Sequence, residues 1–80
     1  MDFLEQVADE LATDVLKVVD ATGDESIITR IKKEVGISST TLEEAFMTAV
    51  RVRRAEVRGR ALLREIANDA LSERETPTEE

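Results

Sequence analysis

The 80-residue chain carries 11 basic and 18 acidic side chains, a formal net charge of −7, and has neither cysteine nor histidine. Those absences exclude disulfides and thiolate metal sites and remove the usual zinc ligand and general base. With only two phenylalanines, base stacking as used by single-strand nucleic-acid binders has almost nothing to work with. A chain this short makes one domain with a marginal core, for which a second copy of the chain is the expected supplement.

The first predicted helix spans Asp2 to Asp20. Leu4, Ala8, Leu11, Val15 and Val18 recur at 4-3-4-3 spacing, and Val7, Ala12, Leu16 and Val19 widen that stripe into a main wall of the core. Asp2 and Glu5 suit the positive end of its dipole, and Gly23 supplies a left-handed stop. Asp24 or Ser26 can cap a second, shorter helix running to about Val35, with Ile27, Ile28, Ile31 and Val35 inward. Lys32 and Lys33 fall in its expected last turn, and Gly36 is expected to close it.

The third predicted helix is the longest run of helix formers, from Ser38–Thr41 to about Ser72, with only Gly59 arguing against helix. Thr40 and Glu43 make a capping box; with Ser38 as the cap instead, Ile37 and Leu42 make a hydrophobic staple. Its apolar residues divide between two faces. Leu42, Ala45, Phe46, Ala49 and Val50 share the first, while Val52, Ala55, Gly59, Leu62, Leu63, Ile66 and Ala70 form a helix-packing seam centred about 110° away. Either the helix stays straight and its second half projects to pair with another chain, or the chain breaks near Gly59 and folds back as a fourth helix. Residues 75–80 carry Pro77 and no apolar side chain, and are expected to be a disordered acidic tail after a helical domain of residues 1–74.

Charge is unevenly distributed: residues 1–25 net −7, residues 26–50 zero, residues 51–64 +5 and residues 65–80 −5. Such blocks point to charge pairing within or between chains. Arg51, Arg54 and Arg58 lie on one side of the seam, and Arg53, Arg60 and Arg64 on the other. Flanking arginines of this kind select a partner helix while their methylenes cover apolar surface.

The segment IITRIKKEVGISSTTLEEAF resembles a helix-turn-helix through Ile31, Val35, Gly36, Ile37, Ser38, Leu42, Ala45 and Phe46. The resemblance implies DNA binding, with Ser38, Thr40, Thr41, Arg51 and Arg54 as the residues toward nucleic acid. It departs from the pattern at Lys32, where the helices cross and a small residue is wanted. Glu43 and Glu44 also place carboxylates at the end that would face phosphate. A plain helical corner is therefore the preferred reading. Asp20, Asp24 and Glu25 fail the EF-hand pattern, whose glycine and twelfth-position glutamate are replaced by Glu25 and Ile31. No acid and base are paired for catalysis.

The acidic first residues and short apolar clusters predict neither signal peptide nor membrane span, and cytoplasm is the expected compartment. The sequence thus predicts an all-α, three- or four-helix, dimerising protein that is not an enzyme and uses no cofactor, metal, small molecule or membrane. It is expected to bind another protein or itself as a regulator, adaptor or inhibitor. The interface expected is Val52, Ala55, Gly59, Leu62, Leu63, Ile66 and Ala70 with Arg51, Arg54, Arg58 and Arg60. A helix-turn-helix regulator is the second reading, and an acidic phage-type inhibitor or DNA mimic the third.

Overall fold

The computed structural model describes residues 2–75. They form three α-helices, α1 (Phe3–Thr22), α2 (Ser26–Ser38) and α3 (Thr40–Glu75), with no strand among the described residues. Beyond Glu75, which is helical, the expected acidic tail lies outside them.

Local chemistry sets the ends of α1. The Asp2 carboxylate accepts the Glu5 N–H at 2.8 Å and the Glu5 carboxylate accepts the Asp2 N–H at 3.3 Å, a capping box with aspartate in the serine position. At the other end Gly23 takes φ 74° and donates its N–H to Val19 O at 2.7 Å, a left-handed closure that a residue with a Cβ would resist. The Asp24 carboxylate then accepts both the Ser26 hydroxyl (2.6 Å) and the Ser26 N–H (2.9 Å) at the mouth of α2. These bonds, the hydroxyl foremost, hold the Asp24 carboxyl below the usual carboxylate range.

The corner between α2 and α3 differs from expectation. Helix α2 does not stop at Gly36 but continues to Ser38, so Lys32 and Lys33 precede its last turn, and Gly36 has no left-handed φ. The boundary is set at Ser39, which is extended (φ −156°, ψ 105°) and whose Oγ accepts the Leu42 N–H at 3.0 Å. An N-cap must leave the helical region to make that bond, which ends one helix as it starts the next. Because the cap is Ser39, neither the Thr40–Glu43 box nor the Ile37–Leu42 staple forms. Ile37 stays exposed, and the Glu43 carboxylate pairs with Lys32 Nζ at 2.7 Å. A Cβ at Gly36 would collide with Glu43 Oε1 and stand 2.9 Å from its Cδ, so the end of the Glu43 side chain would have to move.

The core consists of Ala8, Ala12, Val15 and Val19 from α1, Ile28 from α2, and Phe46 and Val50 from α3. Leu11, Leu16, Ile27, Ile31, Met47 and Ala49 pack around it. The buried row of α1 is rotated from the expected Leu4-Ala8-Leu11-Val15-Val18 row, leaving Val18 exposed. Phe46, the largest fully buried side chain, lies in one cluster with Ala12, Val15 and Val19 of that row. All three helices pack against one another around this core.

Candidate functional site

Helix α3 is unbroken across Gly59, so there is no fourth, folded-back helix among the described residues. Nothing lies within 4 Å of where a Gly59 Cβ would sit. Its presence costs about 1 kcal/mol of helix propensity relative to alanine, too little to break a helix with good formers on both sides. The molecule is accordingly elongated, 67 × 30 × 13 Å. From Gly59 to Glu73 every residue but Ala61 is exposed, an overhang of about 20 Å at 1.5 Å per residue.

The back of α3 displays large aliphatic side chains to solvent: Val52, ahead of the overhang, is 60% exposed, and on the overhang Leu62 is 56%, Leu63 61% and Ile66 56% exposed. With Ala55, Gly59 and Ala70, also exposed, they make one stripe. Phe46 and Val50 mark the face of α3 turned to α1 and α2, and the stripe is centred about 170° from them at 3.6 residues per turn. The expected seam therefore runs along the back of α3, clear of its own core. Leu42, Ala45 and Ala49, expected inward, are only half-buried, because the helix turns its Phe46–Val50 row into the core. Val57 and Leu71, 66% and 50% exposed, were not part of the expected seam. The seven-residue step from Val50 to Val57 is the signal for the first, which prolongs the buried row into a cleft it lines with Leu16 and Asp20 of α1.

The arginines divide into two groups. Arg53 donates to both Asp9 oxygens, Nε at 2.7 Å and Nη2 at 2.5 Å, and also reaches Glu56 at 3.3 Å. Its hydrogen bonds lower the Asp9 carboxyl below the usual range and raise the Arg53 guanidinium above its own. Arg54 grips both oxygens of Glu25, at 2.9 and 2.8 Å. Arg60 bonds Glu56 at 2.9 Å, one turn back, and with Arg53 depresses the Glu56 carboxyl. Acids of the first segment thus anchor Arg53 and Arg54 to the body of the fold. Arg51, Arg58 and Arg64 make no ion pair among the described residues, and Arg51 and Arg58 stand beside the apolar stripe.

No family model, curated protein or solved structure matches the chain.

The residues of the helix-turn-helix resemblance are differently disposed. Helices α2 and α3 are joined through Ser39 alone, where that unit has a turn of about 3–4 residues. Ser38, Thr40, Thr41 and Glu44 are exposed at or near the start of α3 and Arg51 is exposed three turns further on, whereas Arg54 is committed to Glu25. Among the described residues there is no cluster of three or more potential metal ligands, and no helix is long and apolar enough to cross a membrane.

Proposed function

We propose that the protein is a non-catalytic binding protein of the regulator, adaptor or inhibitor kind, which presents the back of α3 to another helix. One observation carries this reading. A stripe of large aliphatic side chains, each more than half exposed, lies on a helix that overhangs its own core. Single exposed aliphatics are ordinary, but a contiguous row on a lone projecting helix is a docking surface. An isolated helix as short as the overhanging segment, about 15 residues, is also marginal in water, and packing is what stabilises most helices.

The test is the double substitution Leu62→Asp with Ile66→Asp in the full chain. Neither residue touches the core, so circular dichroism should show α1 and α2 folded and the thermal transition retained. Association with any protein, self or foreign, should be abolished, as read by light scattering and by capture from extract with tagged parent and variant side by side. Equal association by parent and variant would refute the reading.

A further inference from the structure

We infer that the occupant of the α3 stripe is a second copy of the same helix, lying antiparallel, with residues 59 and 62 of each chain meeting across a two-fold axis. The inference rests on the binding reading above and adds to it the partner and its direction.

Charge along one edge of the stripe decides the direction. At 3.6 residues per turn, Arg51, Arg58, Glu65 and Asp69 line the same flank. Two cations are followed by two anions, and all four are exposed. None has an opposite charge three or four residues away on its own helix, where an intrahelical pair would form. None makes an ion pair among the described residues. The local arrangement is in fact unfavourable, since Glu65 stands four residues from Asp69 and Asp69 four from Glu73. Like charges at that spacing destabilise a helix, and anions near a helix C-terminus oppose its dipole.

A second copy reversed in direction resolves all of this. In an antiparallel pair a flank faces the same flank of its mate, read backwards. Arg58 then meets Glu65 of the second copy and Arg51 comes beside its Asp69, each contact occurring twice by symmetry. The anionic end of each helix also lies against the cationic middle of the other. A parallel pair would bring Arg51 toward Glu56, already held by Arg53 and Arg60, and would leave Arg58, Glu65 and Asp69 without partners.

Side-chain size gives the same register. Val52, Ala55, Gly59, Leu62 and Ile66 repeat at 3-4-3-4 spacing. With residue 59 opposite residue 62, Gly59 faces Leu62 and Ala55 faces Ile66, small against large in the layers next to the axis. A Cβ at Gly59 would meet no side chain or other helix within 4 Å, so the space above it is open to a leucine. Because the stripe is on the far side of α3 from α1 and α2, both copies keep their cores at opposite ends of the pair without collision.

The experiment is a charge swap on the full chain, read as a dimer dissociation constant by dilution in sedimentation or light scattering at low salt. Arg58→Glu alone and Glu65→Arg alone each put like charges face to face twice, and each should weaken the dimer about tenfold or more. The double variant should regain parental affinity, and so should a one-to-one mixture of the two single variants, which pair with each other but not with themselves. Helicity should be the same in every sample. A parent that is monomeric at about 100 µM, two decades above a micromolar dissociation constant, overturns the second copy as occupant. In that case foreign capture that is lost with Leu62→Asp and Ile66→Asp would leave the binding reading standing. A dimer indifferent to both single swaps, or one not rescued in the mixture, overturns the antiparallel register.

Discussion

Replacing Gly36 tests the account of the helical corner, because two readings of that glycine predict different outcomes. Were Gly36 a left-handed stop, alanine there would be strained whatever surrounded it. In the structure it is a helical residue whose missing Cβ makes room for the Glu43 carboxylate on its way to Lys32. Alanine in place of glycine in a helix is worth up to about 1 kcal/mol, the value for an interior position. Against that stands the Lys32–Glu43 pair, whose side chains are 40% and 25% exposed. A pair so accessible contributes about 0–1 kcal/mol, and the Glu43 chain end can swing aside. Gly36→Ala should therefore change stability by no more than about 0.5 kcal/mol, or roughly 2–4 °C in Tm. In a Glu43→Ala background the collision is gone and the full propensity gain, up to about 1 kcal/mol, should appear. The assay is urea and thermal unfolding of the four members of the cycle at one protein concentration, since association would shift Tm with concentration. A loss above about 2 kcal/mol in both backgrounds would refute the reasoning and restore a positive φ at residue 36.

Phe46 is fully buried and the largest such side chain in the core, so Phe46→Ala should cost about 3–5 kcal/mol, much of what a chain of this size possesses. Circular dichroism should then show partial unfolding at 25 °C, and a cost below about 1.5 kcal/mol in urea titration would mean that the core is loosely packed. The pH dependence has a definite sign. Asp9, Asp24 and Glu56 are all held below the ordinary carboxylate range. Their contribution is therefore present above the unfolded carboxylate values near about 4 and is lost as pH falls through the lower folded ones. The urea midpoint should drop on acidification below about pH 5, and Asp9→Asn should lower it at pH 7 while flattening the drop; an unchanged acid slope in that variant would show that the Asp9–Arg53 pair adds no stability.

Helix class was legible in the sequence because it depends on neighbours in the chain. The 3-4 recurrence of apolar residues and the Gly23 stop each act within one or two turns, and Gly23 closes α1 as its place in the sequence suggests, while Asp2 goes further than a dipole charge and caps the helix. The exposed α3 stripe was legible for the same reason, since the 3-4 recurrence of apolar residues from 52 to 70 lies within one helix and needs no knowledge of the rest of the fold. What the chain by itself left open was decided by contacts between helices distant in sequence. Which row of α1 turns inward was decided by packing with Ile28, Phe46 and Val50, residues on the other two helices. Gly36 reads locally as a stop signal, yet its use is steric and depends on Glu43 across the corner. Whether the chain bends at Gly59 was undecidable locally, because a cost near 1 kcal/mol is smaller than tertiary packing can supply either way. The pairing of Arg53 with Asp9 and of Arg54 with Glu25 separates the anchoring arginines from Arg51 and Arg58. That distinction spans up to 44 residues of chain and exists only once α1 and α2 have closed on α3.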